Sequence, residues 1–181
     1  MRRAGVLFAV ILLVCLSCKK NDDAPQYSGE IVLSSERIKS GLDWVFYGLS
    51  FETGKISIYS LSERPDLTSN HIIITDEITS IYLESSNDLD AFYKNGIFAT
   101  ASEAEVYFNN YNEVIASDFQ WQAENIKENQ IWTVQTANKR FAKIWIKEIA
   151  IKSGNTEDYA EVRIQYQYQP DGSRTFDCGC N

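Results

Sequence analysis

The feature that most constrains the fold is a regular alternation of side chains over residues Tyr159–Gln169. Every second position in this stretch is apolar or aromatic, at Ala160, Val162, Ile164, Tyr166 and Tyr168. Because successive side chains of a β-strand point to opposite faces, a period of two predicts a strand with one buried and one solvated face. The apolar face needs a covering layer, so we expect this strand to belong to a packed sheet.

Two further strands are predicted upstream, over residues 131–136 and 141–152. The polar segment 153–158 is typical of a loop, and a Pro-Asp-Gly turn follows the last strand. Residues 131–169 are therefore predicted to form a three-stranded antiparallel meander.

The middle strand of this meander changes parity along its length. Ile144 and Ile146 fall on one face, whereas Ile149 falls on the other. A β-bulge adds one residue to a strand and so restores a common face. We therefore predict a bulge near Lys147 and Glu148.

The first half of the chain contains shorter strand patterns. Residues 44–51 and 56–60 flank a turn at residues 52–55, an arrangement that predicts a β-hairpin. Two further apolar runs of strand length follow, at residues 71–75 and 78–84.

Two short helices are predicted between these strands and the meander. Ser102 with Glu105 has the spacing of a capping box, and Ser117 with Gln120 repeats it. Apolar residues recur at helical spacing after each pair. The predicted fold class is α+β, a mainly antiparallel sheet with two short helices inserted between an N-terminal hairpin and the C-terminal meander.

The N terminus carries an export signal that ends at Cys18. Two arginines precede an apolar run of 13 residues, residues 4–16, and Ser17 stands directly before Cys18. A membrane-spanning helix needs about 20 apolar residues, so a signal peptide is the better interpretation than a spanning helix. The order Leu16-Ser17-Cys18 resembles the lipobox of bacterial lipoproteins. That resemblance implies a lipid on Cys18, with secretion without lipid as the alternative.

These signals divide the chain into four segments. Residues 1–17 are a lipoprotein signal peptide, 18–27 a lipidated tether, 28–176 a single globular β-rich domain, and 177–181 a Cys-containing tail. The tether contains Lys-Asn-Asp-Asp, which resembles the acidic signal of Bacteroidetes-type lipoproteins. The resemblance implies an outer-membrane lipoprotein on the cell surface, held to the bilayer through acylated Cys18.

The charge balance excludes one class of partner. The chain has 17 Lys and Arg against 25 Asp and Glu, a formal net charge of −8. Loss of Arg2 and Arg3 with the signal peptide leaves 15 against 25, or −10. Binding to phosphate backbones requires the opposite sign, so we expect no nucleic acid partner.

Two aromatic stretches are similar to parts of a known family. Residues 44–55 contain an early tryptophan, aromatic, Ser-Phe and Gly hairpin, and residues 129–168 contain Ala-Lys-Ile and Val-Arg-Ile-Gln-Tyr-Gln-Tyr strands. Both resemble strands of the HmuY-type haem-binding lipoproteins, over about a third of the chain. The resemblance implies a ligand-binding lipoprotein with haem as a candidate cofactor.

The chain departs from that family at the iron ligands. The family's best-studied form holds haem iron through two histidines, and this chain has only His71. As an axial ligand, His71 would need a partner such as Tyr82 or Tyr93, since tyrosine can also hold haem iron. The alternative is a surface or hydrogen-bonded histidine without a ligand.

The tail contains Cys178 and Cys180, which are separated by one glycine. Once the signal peptide is removed and Cys18 is lipidated, these are the only thiols left, in an oxidising compartment. They are candidates for a small strained disulfide, and strain makes a disulfide easier to reduce. The alternative is an exposed tail without a redox role. Two thiols alone do not make a zinc site, which needs about four ligands.

No sequence motif indicates a catalytic centre or a metal site. The chain has no Gly-x-Ser-x-Gly elbow, glycine-rich phosphate loop or His-Glu-x-x-His pattern. Asp88 and Asp90 offer oxygen ligands for calcium, but the ligand order of an EF-hand is missing. A solvated segment before the next apolar residues is the alternative.

Two function classes are left. The first is non-catalytic binding of a ligand or envelope protein through exposed aromatic residues. The second is an envelope acid/base hydrolase that uses a pair of carboxyl groups. Residues 64–100 should discriminate between them. A concave aromatic pocket there favours binding, whereas two facing carboxylates with one desolvated favour an enzyme.

We predict that Cys18 is the first residue of the mature chain and carries acyl chains. Each buried methylene contributes about 0.8 kcal/mol, so two or more chains hold a protein durably on a bilayer. Mass spectrometry of the N-terminal peptide should show the acyl mass on Cys18, and Cys18→Ser should release the protein from membranes. An unmodified thiol in the membrane-bound protein would contradict this assignment.

Overall fold

The computed structural model describes residues 27–41, 43–60, 65–85 and 90–176. The predictions for Cys18, Asp88, Cys178 and Cys180 lie outside these residues. Within the described ranges, no helix has the length and apolar character that crossing a membrane requires.

Ten strands and one helix make up the described part of the chain. In order they are β1 (Ser28–Ser34), β2 (Ile38–Ser40), β3 (Asp43–Ser50), β4 (Lys55–Ser60), β5 (Leu67–Ile74), β6 (Glu77–Glu84), β7 (Phe92–Ile97), α1 (Ala101–Asn110), β8 (Gln130–Gln135), β9 (Phe141–Lys152) and β10 (Tyr159–Gln169).

The strands form two antiparallel sheets. The first sheet has the order β1-β10-β9-β8-β7, and its last three strands in sequence are the predicted meander. The second sheet contains β2, β3, β5 and β6, with β4 paired to β3. Gly48 of β3 lies opposite both Ser57 of β4 and Thr68 of β5, so β4 and β5 occupy opposite edges of β3.

The two sheets bury a common core between them. The first sheet contributes Leu33, Val162 and Ile164, and the second contributes residues such as Leu49 and Leu67, all without solvent exposure. Burial of this apolar surface contributes roughly 25 cal/mol per Å². The core therefore fixes which face of each strand points inward.

The alternation in β10 is confirmed, because each of its apolar positions is buried against the core or nearly so. The bulge is confirmed as well. Arg163 lies opposite Glu148, but the next residue, Ile164, lies opposite Ile146, so Lys147 is the extra residue of β9. The bulge restores the parity of β9, as the sequence required.

The first hairpin is also confirmed, since β3 and β4 pair through a turn at residues 51–54. The following strand begins earlier than predicted. β5 starts at Leu67 and includes the polar residues Thr68, Ser69 and Asn70, which are buried or half-buried. His71 therefore lies inside a strand and not at its start.

The single helix of the described chain, α1, has its N-cap two residues before the predicted one. Thr100 is the N-cap: its hydroxyl accepts from the Glu103 N–H, and the Glu103 carboxylate accepts from the Thr100 N–H. The predicted pair of Ser102 and Glu105 was therefore wrong. Both pairs have the same spacing, and the sequence pattern does not discriminate between them.

The second predicted helix was wrong. Residues 117–126, here called the bridging segment, form no helix and instead pair with the edges of both sheets. Gln120 exchanges two backbone hydrogen bonds with Phe92 of β7, and Ala123 exchanges two with Leu83 of β6. The fold is therefore β-rich, with one helix where α+β with two helices was expected.

A buried lysine connects α1 to the first sheet. Lys143 of β9 is 2% exposed, and its Nζ donates to the carbonyls of Phe108 and Tyr111 at 2.7 and 2.8 Å. These carbonyls lie at the C-terminal end of α1, where intrahelical donors are absent. The lysine thus satisfies the helix end and fixes it on the sheet.

We predict that Lys143→Met lowers the free energy of unfolding by about 1 to 3 kcal/mol, because two buried carbonyls lose a donor. Urea denaturation measures the change. Lys152→Met is the matched control in the same strand, since Lys152 is largely exposed and its ion pair with Glu161 is long, at 3.6 Å. The control should change stability by less than about 0.5 kcal/mol. Equal effects in the two variants would contradict this role of Lys143.

Candidate functional site

A cleft of about 780 Å³ opens on the outer face of the second sheet. Its floor comes from alternate positions of three strands, and its walls come from the connecting segments around them. We call it the aromatic cleft, and the residues that define it are Trp44 and Phe46 of β3, Asn70 of β5, Tyr82 and Glu84 of β6, Trp121 of the bridging segment, and Arg37, Pro65 and Glu157 at the walls.

Strand parity decides which side chains reach the cleft. Leu49 and Leu67 lie opposite each other and face the core, so their neighbours Gly48 and Thr68 face outward. Gly48 lies directly beneath Pro65, whose ring occupies the space that a Cβ atom at Gly48 would need. The glycine therefore allows Pro65 to lie flat on the sheet as one wall.

The opposite wall depends on the bridging segment. Trp121 and Gln122 stand between Gln120, which pairs with Phe92, and Ala123, which pairs with Leu83. These flanking pairs hold the two side chains beside β6, although Trp121 is 59% exposed. An exposed ring on an anchored backbone offers contact area at little cost in conformational entropy.

Glu84 is held at the cleft by two amides. Asn70 Nδ2 donates to Glu84 Oε2, and Gln122 Nε2 donates to Glu84 Oε1, each at 2.6 Å. The three side chains come from β5, β6 and the bridging segment. The hydrogen bonds therefore fix the plane of the carboxylate while each oxygen keeps a further lone pair.

Tyr82 lies beside this carboxylate in the cleft. Burial raises the pKa of the Tyr82 hydroxyl above its usual value, the negative charge of Glu84 raises it further, and Arg37 acts in the opposite direction. The phenol therefore stays protonated at neutral pH. It can both donate and accept a hydrogen bond.

His71 lies on the inner side of the same sheet and is 4% exposed. Its Nδ1 is 2.9 Å from Ser35 Oγ, which also accepts from the Ala160 N–H at 2.8 Å. Its Nε2 is 3.6 Å from a carboxylate oxygen of Glu157. Both ring nitrogens therefore face groups of the protein itself.

The structure does not bring His71 together with either tyrosine proposed as its partner. His71 lies opposite Ile81, whereas Tyr82 lies opposite Asn70, so the two side chains point to opposite faces of the sheet. Tyr93 belongs to the first sheet and packs against Phe119, with ring centroids 6.3 Å apart.

Among the described carboxyl groups, the one whose pKa is raised lies outside the aromatic cleft. Burial raises the pKa of Asp66, and its carboxylate accepts the Phe51 N–H at 2.8 Å. Asp66 does not line the aromatic cleft. Among the residues described, no group of three or more His, Cys, Asp or Glu side chains is placed to hold a metal ion.

The sequence matches no protein-family model and no curated protein. The cleft itself includes parts of the region singled out from the sequence, residues 64–100, through Asn70, Tyr82 and Glu84. Sequence reasoning missed Trp121, because the segment around it was predicted as a helix. The outward parity of Trp44, opposite to that of Leu49, is the sequence signal that could have placed Trp44 in the cleft.

We predict that the protein loses stability as the pH falls below about 6.5, the ordinary pKa of histidine. Desolvation has the largest effect on the pKa of His71 and lowers it. The charge of Glu157 raises this pKa by less, and the charge of Arg37 lowers it by less still. The unfolded chain then binds a proton more readily than the native state, so stability decreases as pH decreases.

Urea midpoints at pH values of about 7.5 and 5.5 measure this slope. His71 is the only histidine, so His71→Gln should flatten it. Asp66 acts in the opposite direction, because its raised pKa lets the native state take up a proton first. Equal slopes in wild type and variant would exclude His71 as the source.

Proposed function

We propose that this chain is a lipid-anchored lipoprotein of the outer membrane, on the cell surface, whose globular domain binds a ligand or partner without catalysis. The observation that carries the binding role is the aromatic cleft. Its volume of about 780 Å³ falls within the roughly 300 to 1,000 Å³ of small-molecule sites. Its lining combines aromatic rings with a few oriented polar groups, as such sites do.

The anchor is supported by the sequence and by the start of the fold. β1 begins at Ser28, ten residues after Cys18. A ten-residue tether spans at most about 36 Å when fully extended. An acylated Cys18 would therefore hold the domain close to the membrane surface.

An acid/base hydrolase is the alternative, because Glu84 and Glu157 both line the cleft. Catalysis of that kind needs one carboxyl group that stays protonated through desolvation. Among the described residues, the carboxyl with a pKa raised by burial is Asp66, which accepts a backbone N–H outside the cleft. Glu84 accepts hydrogen bonds from two amide donors, which occupy one lone pair of each oxygen. The arrangement favours binding.

A haem-binding role of the HmuY type is a narrower form of the proposal. Tyr82 is the side chain in the cleft that could hold haem iron. Iron coordination uses the phenolate, which burial and Glu84 disfavour at Tyr82. Haemin added to the full-length chain should shift the Soret band if this form is correct. The shift should disappear in Tyr82→Phe, or in His71→Ala if the histidine is the ligand.

We predict that a cleft ligand raises the melting temperature of the full-length chain in detergent by several degrees. At 100 times its Kd, a ligand stabilises the native state by about 2.7 kcal/mol. The probes are haemin, neutral oligosaccharides and short peptides. The shift should disappear in Trp121→Ala and persist in Ile115→Ala, a matched control with an apolar side chain that is 69% exposed away from the cleft. Shifts that are absent, or equal in both variants, would refute the cleft as the binding site.

A further inference from the structure

We propose that the aromatic cleft binds a neutral oligosaccharide. This inference rests on the proposed function and specifies its ligand class. Three sets of observations support it: the exposure of the tryptophan rings, the predominance of hydrogen-bond acceptors on oriented side chains, and the mixed sign of the charges around the cleft.

The first observation is a pair of exposed tryptophans on separate elements. Trp44 of β3 is 41% exposed and Trp121 of the bridging segment is 59% exposed, and both line the cleft. β3 is paired on both edges, and the bridging segment is fixed to β6 and β7. Exposed aromatic rings on a paired backbone are suited to a ligand with flat, weakly apolar faces. Sugar rings present such faces through their C–H groups.

The second observation is the supply of acceptors for hydroxyl donors. Both oxygens of Glu84 accept from neutral amides, and each oxygen has a second lone pair that can accept from a hydroxyl group. Glu157 and Asn70 add further acceptor oxygens in the same cleft. Hydrogen bonds from hydroxyl groups to a charged acceptor are among the stronger ones in proteins.

The charges around the cleft are of both signs, which suits a neutral ligand. An anion would meet the carboxylates of Glu84 and Glu157, whereas a cation would meet those carboxylates and also Arg37. A purely apolar ligand would remove water from these three charged groups and offer them no hydrogen bond in return, which is costly. A polyhydroxylated neutral ligand can accept from the guanidinium and donate to the carboxylates. It therefore satisfies all three groups together.

The test uses the full-length chain in detergent and a panel of neutral oligosaccharides. The panel contains α- and β-linked oligomers of glucose, mannose, xylose, galactose and N-acetylglucosamine, and calorimetry measures the affinities. At least one oligomer should bind, with exothermic hydrogen bonding and a Kd that Trp121→Ala and Trp44→Ala each weaken about tenfold or more. Glu84→Gln keeps the shape of the side chain but removes its charge, and should weaken binding about tenfold as well.

Two controls separate a local effect from misfolding. Ile115→Ala removes another exposed apolar side chain and should leave the affinity unchanged. Circular dichroism should show the same strand content in every variant. The oligomer should also be recovered at its original length after incubation, because shortened products would assign the cleft to a hydrolase.

The outcomes distinguish a wrong ligand class from a wrong binding site. If no oligosaccharide binds but haemin or a peptide binds in a manner that depends on Trp121, the ligand class is wrong and the binding role of the cleft stands. If no probe binds in a manner that depends on Trp44 or Trp121, both the ligand class and the proposed function are overturned. If an oligosaccharide binds equally well to all variants, the cleft is not its site, and this inference fails.

Discussion

The arrangement of this domain depends on the backbone hydrogen bonds of the bridging segment. Six of them join residues 120, 123 and 126 to the edges of both sheets, at residues 91 and 92 of the first and residues 81 and 83 of the second. An edge strand presents unpaired N–H and C=O groups, and leaving such a group buried without a partner costs about 1 to 3 kcal/mol. The segment thus covers both edges and holds the two sheets together on one side of the core.

The same hydrogen bonds create the candidate site. Trp121 and Gln122 lie between the two paired positions and are therefore held beside β6. There Gln122 Nε2 donates to Glu84 Oε1 at 2.6 Å. Asn70 completes the set from β5. The aromatic cleft therefore takes one wall from the element that closes the sheets. A change that frees this segment should affect stability and ligand binding together.

The two faces of the second sheet carry different chemistry because its strands alternate. Inward positions hold Leu67 and His71, and the histidine is enclosed by Ser35 and Glu157. Outward positions hold Asn70 and Tyr82 in the cleft. His71 therefore lies inside the fold, whereas the outward side chains line the open cleft. This separation is the reason that a haem site built on His71 with Tyr82 does not form in this arrangement.

Local patterns in the sequence determined the antiparallel meander, the bulge at Lys147 and the first hairpin, because alternation, parity and turn residues are short-range properties. The predicted export signal before Cys18 likewise rests on local order in the sequence. The helix predicted over residues 117–126 failed for a tertiary reason. A helix of this length is marginally stable by itself. The edge strands of the two sheets, which are distant in sequence, present unpaired N–H and C=O groups, and the segment forms its backbone hydrogen bonds with these instead. Only the tertiary structure could therefore place Trp121 in the same cleft as Trp44 and Glu84, because the backbone pairing that positions Trp121 joins segments distant in sequence.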